Sequence, residues 1–150
     1  MAAPTTSLPE AIGGKRNWDY RYTWIRDATF AIYALSIIGY TEEGQDFKDW
    51  LERTTSGKAT DLQVMYGLGG ARDLKELEIP ELDGYRLSRP VRVGNQAYSQ
   101  FQLDIYGESM DSAHIFRKFG GAVDSEYWGY LRKVVNFVIA HWNEPDEGIW

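Results

Sequence analysis

Asn17-Trp18-Asp19-Tyr20-Arg21-Tyr22-Thr23-Trp24-Ile25-Arg26-Asp27-Ala28 is the stretch on which the fold of this chain turns. Up to Trp24 the residues alternate, with Trp18, Tyr20, Tyr22 and Trp24 on one phase and Asn17, Asp19, Arg21 and Thr23 on the other. A period of two describes extended backbone, with rings on one face and polar groups on the opposite one. After Asp27 the period changes. Phe30, Ala31, Ala34, Leu35 and Ile38 recur at helical spacing, and Ile32, Tyr33 and Ile37 fill the remaining sides. The spacing predicts a helix over 28–38, capped by Asp27 and ended by Gly39. Because it is apolar nearly all round, that helix is expected to be buried on most sides. Arg26 and Asp27 then stand at its mouth, a fork of donors beside two acceptor oxygens. That is the inventory for gripping adjacent sugar hydroxyls. Helix capping by Asp27, with Arg26 paired to it, fits the same residues. Composition alone leaves both readings open.

Working outward, residues 42–54 form a second predicted helix, capped by Thr41, with Phe47, Trp50, Leu51 and Thr54 facing inward. The short link makes it the antiparallel partner of the first. Ser56 to Thr60 reads as a turn, and the alternation of Leu62, Val64 and Tyr66 predicts a short strand over 61–66. Residues 67–94 are rich in glycine, proline and charge, and part of this long loop is expected to be a β-hairpin. Asn95 caps a long helix predicted over 96–119, stopped by Gly120 and Gly121. A fourth helix is predicted over 125–142, with Tyr127, Leu131, Val134, Val138 and Trp142 on one face, and an acidic turn follows. The fold class is therefore mainly α, with about four long helices in antiparallel pairs, long loops and a short β-hairpin. Helices this apolar need more partners than four helices supply. The ending at Gly148-Ile149-Trp150, with no polar tail, reads as a cut.

Several functions are disfavoured. A net charge of −6 and the lack of a basic stripe argue against nucleic acid as a partner. No cysteine is present, which removes disulfides and thiolate metal sites. His114 and His141 lie too far apart for a helical metal pair, so no metal and no cofactor are expected. No signal segment is visible at the start, and the apolar run 30–38 is too short to span a bilayer. No membrane partner is expected, and cytoplasmic residence is favoured over a secreted parent. Gly57-Lys58-Ala59-Thr60 lacks the first glycine of a phosphate loop, since Glu52 stands there, and no Gly-x-Ser-x-Gly elbow occurs. The 22 aromatic residues, 6 Trp, 10 Tyr and 6 Phe, suit first a well-filled core and only second the flat apolar walls of a sugar pocket.

Ala3-Pro4-Thr5-Thr6-Ser7-Leu8-Pro9-Glu10, followed by the 17–27 segment, closely resembles glycoside hydrolase family 15, the glucoamylases and related trehalases. Arg89-Pro90-Val91-Arg92-Val93-Gly94-Asn95 and Glu144-Pro145-Asp146-Glu147-Gly148-Ile149-Trp150 carry the same likeness, in family order and across essentially the whole chain. The resemblance implies that residues 1–150 are the N-terminal part of an (α/α)6 toroid catalytic domain, truncated at the C-terminus. It implies an inverting, exo-acting hydrolase that releases glucose from α-glucosides such as maltooligosaccharides, starch or trehalose. By matching position, Arg26 and Asp27 would hold the terminal glucose, and Trp24 and Trp150 would line the same pocket. Arg89, Arg92 and Asn95 would border it.

In that family the general acid is a Glu directly after the Gly-Ile-Trp stretch, and the base lies far downstream. Neither position falls within this chain. Asp146 and Glu147 do not occupy the acid's position and read as turn residues. Inversion places the two carboxyls roughly 6.5–9.5 Å apart so that a water fits between them. No catalytic residue is therefore expected here, and the isolated chain is expected to be inactive. The competing readings are a non-catalytic carbohydrate-binding module and a helical interaction module.

Overall fold

The computed structural model describes residues 3–55 and 58–149. They divide into two compact units, one made of Met1–Trp24 and Met65–Ser99, the other of Ile25–Val64 and Gln100–Trp150.

The first unit is built of loops and short strands. Strand β1 (Thr23–Trp24) pairs antiparallel with β2 (Met65–Tyr66), Thr23 opposite Tyr66 and Trp24 opposite Met65. The strand expected over 61–66 shrinks to its last two residues. Its partner has only two to offer, because the chain turns helical at Ile25. β3 (Leu77–Ile79) and β4 (Val91–Val93) form the expected hairpin, with Leu77 opposite Val93. The peptide Arg89–Pro90 is cis.

Residues 17–22 are extended, tied by Ser7 N–H to the Trp18 carbonyl at 3.1 Å and Ala3 N–H to the Tyr20 carbonyl at 3.0 Å. Their inner face is the polar one. Asn17 and Asp19 are fully buried, whereas Trp18, Tyr20 and Tyr22 are half-buried. Loops leave many backbone groups without ladder partners, and buried polar side chains supply them. Asn17 Nδ2, for instance, donates to the carbonyls of Gly14 at 3.1 Å and Pro90 at 3.2 Å.

The second unit is helical: α1 (Ile25–Ile37), α2 (Glu42–Thr55), α3 (Asp104–Lys118) and α4 (Ser125–His141). Among the described residues these four α-helices and two short antiparallel strand pairs bear out the mainly α expectation. No described helix is long and apolar enough to cross a membrane.

Three expectations change. First, α1 begins at Ile25, so Asp27 sits in its first turn instead of capping it. The Ile25 N–H donates to the Val64 carbonyl at 3.1 Å, a backbone contact that satisfies one of the orphan donors. Second, α1 buries only Ile25, Thr29 and Ser36, and Phe30 is 62% exposed. It packs on α2 and α3 along one stripe. Third, the single helix expected over 96–119 is broken. A 3-10 turn covers Gln96–Ser99, with Asn95 Oδ1 accepting from Ala97 N–H at 3.0 Å, and α3 starts only at Asp104. Between them Gln102 is fully buried and the Leu103 N–H is taken by Asp146 Oδ2 at 3.0 Å, contacts that a continuous helix would forfeit.

At its far end α3 stops as expected. Gly120 adopts φ +103, and Gly121 N–H donates to the Phe116 carbonyl at 2.9 Å, the usual closure of a helix C-terminus. α4 is capped by Asp124, whose side chain accepts from Tyr127 N–H at 2.8 Å. Its inward face is Tyr127, Tyr130, Leu131 and Val134, while Trp142, expected inside, is 70% exposed. That residue is the C-cap of α4, two turns beyond Val134, the last of its buried residues. The core also takes Leu51, Ile105, Tyr106 and Ile115, with Tyr106 stacked on Phe137 at 4.5 Å between centroids.

Candidate functional site

In the helical unit the predicted pair Arg26 and Asp27 occupies the first turn of α1. Residues adjacent on a helix project about 100° apart, so neighbours in sequence do not share a face. Arg26 accordingly turns to α3, where its Nη1 donates to Asp104 Oδ2. The pair is mostly shielded, with side chains 17% and 21% exposed. Asp27 is exposed, and Arg26 is not its partner. The capping alternative of the sequence is thus replaced by a cross-helix ion pair.

α3 brings further charge. Asp104 and Glu108, four residues apart on one face, both lie beside Arg26. Burial pushes the Glu108 carboxyl above its ordinary value, and the charges of Asp111, Asp104 and Asp27 add to the rise against Arg26. The helices are pinned here by Thr29, whose Oγ1 donates to the Ile25 carbonyl at 3.0 Å and reaches the Glu108 carbonyl at 3.4 Å. Asp104 Oδ1 is buried with no hydrogen-bond partner among the described residues. Asp104 also borders an apolar groove of about 400 Å³ between α3 and α4, lined by Leu103, Tyr106, Val134 and Val138 among others. One guanidinium among several carboxylates, partly sheltered from water, is an arrangement with unspent hydrogen-bonding capacity.

In the loop unit the centre is Asp19, whose side chain is fully buried. Its Oδ1 accepts from Arg21 Nε at 2.9 Å, and its Oδ2 from Arg21 Nη2 at 2.8 Å, Tyr22 OH at 2.9 Å and Gly94 N–H at 3.1 Å. Burial pushes its pKa up, but these hydrogen bonds outweigh burial and hold the carboxyl below its ordinary value. Asn95 is buried and donates from Nδ2 to the Asp19 carbonyl at 3.1 Å.

Arg92 is enclosed, its side chain 11% exposed. Its Nη1 donates to the Lys15 carbonyl at 2.8 Å and its Nη2 to Glu78 Oε1 at 3.3 Å, while Nε is 3.0 Å from Glu76 Oε1 without the alignment of a hydrogen bond. Its guanidinium lies 4.6 Å from the centre of the Trp18 ring. Arg89 is exposed and ion-paired to Asp83. Trp24 is buried, its ring 6.1 Å from that of Tyr20. Trp150, also expected at the site, lies outside the described residues.

Of the expected site residues, then, Arg92 and Asn95 share one network, Arg89 stands outside it, and Arg26 and Asp27 belong to the other unit. Asp146 behaves as a turn residue. Its two oxygens take Leu103 N–H at 3.0 Å and Gly148 N–H at 2.9 Å. Sequence reasoning missed Asp104, Glu108 and the central part of Asp19. The i, i+4 spacing of Asp104 and Glu108 inside a predicted helix, flanking buried Ile105, was a usable signal for the first two.

Among the described residues there is no group of three or more His, Cys, Asp or Glu side chains suited to hold a metal. No solved structure matches the chain. Curated relatives do. It is 48% identical to a trehalase of Mycolicibacterium smegmatis, an alignment covering 100% of this chain and 23% of the relative. A trehalase of Mycobacterium tuberculosis is 47% identical (100% and 22%), and one of Thermoplasma volcanium 45% (100% and 24%). The chain thus spans about a quarter of the length of the relatives it matches. The model for glycosyl hydrolases family 15 matches residues 1–150, and with relatives of this identity along its whole length the chain belongs to that family.

Proposed function

We propose that these residues form part of the catalytic domain of an inverting glycoside hydrolase acting on α-linked glucose, with trehalose as the first substrate to test and maltooligosaccharides as the second. The choice of trehalose rests on relatives named trehalase. The observation that carries the reading is the Arg26–Asp27 pair, with Asp27 exposed and Arg26 anchored among the described residues through Nη1, so that donors and acceptors remain for vicinal hydroxyls.

In this reading Arg26 and Asp27, both in the helical unit, hold the glucosyl unit. Arg92 and Asn95 act by holding the 89–95 loop in shape. The acid that protonates the glycosidic oxygen and the base that activates water come from polypeptide outside residues 1–150. The chain alone therefore does not turn over, since losing even one such group costs about 10²–10⁴ in rate.

Proton NMR of the first-formed glucose tests the mechanism in the full-length protein. Maltose should yield β-glucose from the cleaved residue. Trehalose, joined through two α-anomeric carbons, should yield one β and one α. Two α-glucose molecules from trehalose would rule out inversion. Residues 1–150 alone should release no glucose from either sugar.

The exposed Phe30, Ile37, Trp128 and Trp142 favour a second reading, a helical interaction module. It predicts a full-length protein that hydrolyses neither sugar.

A further inference from the structure

We propose that Asp104 is the positioning residue for Arg26, the carboxylate that aims the sugar-gripping guanidinium; this rests on the reading of Arg26 given above. Four observations converge on Asp104. Arg26 Nη1 donates to its Oδ2 across 78 residues of sequence, so the contact is made by the packing of α1 on α3 and by nothing local. Both side chains are more than three-quarters shielded, which separates this pair from the exposed Arg16–Glu10 and Arg89–Asp83 pairs. Thr29, one turn along α1, holds the same two helices together through the Glu108 carbonyl. Asp104 opens α3, where unsatisfied backbone N–H groups stabilise a negative charge.

An arginine has several rotatable bonds, and its usefulness to a ligand depends on losing that freedom beforehand. Asp104 removes it by fixing one corner of the fork. The remaining nitrogens are then presented in a set plane. Asp27, freed from pairing with Arg26, supplies acceptors. Glu108 does not do the same work: among the described residues Arg26 forms its ion pair with Asp104 and none with Glu108.

The test uses the full-length protein with trehalose, and with maltose in parallel. Arg26→Ala, Asp104→Asn, Asp104→Glu and the Arg26→Ala/Asp104→Asn double variant are compared by kcat/KM and thermal midpoint. Arg26→Ala should lower kcat/KM at least about 100-fold, as loss of an oriented charged donor does. Asp104→Asn should lower it about 10- to 100-fold, the effect of displacing a binding group by about an ångström. Asp104→Glu, which restores the carboxylate, should recover most of that loss. The double variant should be no worse than Arg26→Ala, because Asp104 acts through Arg26.

Multiplying effects in the double variant would overturn the proposal, as would an Asp104→Asn rate within twofold of wild type while Arg26→Ala is crippled. Both outcomes leave the role of Arg26 intact. If Arg26→Ala itself stays within twofold of wild type, the underlying reading fails, and the proposal with it. Should the Asn variant melt near the assay temperature, Asp104→Ser decides in its place under the same criteria.

Discussion

Asp19 and Arg26 stand seven residues apart in sequence and in opposite electrostatic situations. Asp19 is one buried carboxylate met by Arg21, the Tyr22 hydroxyl and the Gly94 amide, with its own carbonyl taken by Asn95. It is saturated. Among the described residues Arg26 is one guanidinium tied at a single nitrogen, with Asp104, Glu108 and Asp27 all near it and one Asp104 oxygen unpartnered. It is not saturated. The difference teaches how to separate scaffold from site in a chain dense with Arg and Asp. A charge whose hydrogen bonds are all spent holds a shape, and a charge with bonds to spare is available to a ligand.

The sharpest way to break the comparison is Asp19→Asn. It should destabilise the protein by about 3 kcal/mol, since hydrogen bonds to a charged group contribute roughly 1.5–3 kcal/mol each and several weaken together. Chemical denaturation would measure it. The pH dependence has a definite sign. Asp19 has a folded pKa below the ordinary 3.8, so its stabilisation is present above pH 3.8 and is lost as pH falls through the lowered value. The variant's deficit should therefore shrink in acid. A deficit that is constant from neutral to strongly acidic pH would show that the charge is not what matters.

Next in size is Gly94→Ala, which tests the loop that delivers an amide to Asp19. Gly94 has φ +84, and an added Cβ would lie 2.0 Å from the Lys75 carbonyl oxygen. The backbone conformation alone should cost roughly 1–3 kcal/mol, with the overlap added to it. A melting temperature unchanged from wild type would mean the loop is free to relax and the Asp19 network is not rigid.

On the unsaturated side, Glu108→Gln should stabilise slightly, by less than about 1 kcal/mol given partial solvent screening. Glu108 has a raised folded pKa, so its favourable contribution is present below pH 4.5 and disappears as pH rises through the raised value. The variant's advantage should appear at neutral pH and vanish below about 4.5 in thermal scans. Destabilisation at neutral pH would instead place Glu108 in a structural bond. The smallest effect belongs to Arg89→Ala. With Arg89 57% and Asp83 64% exposed, their ion pair should contribute no more than about 1 kcal/mol to stability. Any larger loss would move Arg89 to the scaffold class.

Much of this was legible in the chain itself. The change of period at Trp24 to Asp27 located the passage from extended to helical backbone within three residues, because periodicity follows directly from backbone geometry. Gly39 and Gly120 marked helix ends, Asn95 sat where a cap is needed, and the loop over 67–94 held its hairpin. What misled was the inference from apolar side chains to burial. Phe30, Ile37 and Trp142 are apolar and exposed, while Asn17, Asp19, Thr29 and Gln102 are polar and buried. Apolar residues are free to sit outside, and polar ones go inside when they have partners.

The sequence by itself determined the alternation of residues 17–24, the four helices and the family, since each depends on local spacing or on motifs that stand in the chain as written. Only tertiary structure decided that Arg26 answers to Asp104 and not to Asp27, that residues 96–119 break before Asp104, and that Asp19 anchors the 92–95 loop. Those outcomes depend on which backbone and side-chain groups meet across 70 or more residues, or on orphan amides that find a distant acceptor. No periodicity encodes such meetings; the packing of the elements creates them.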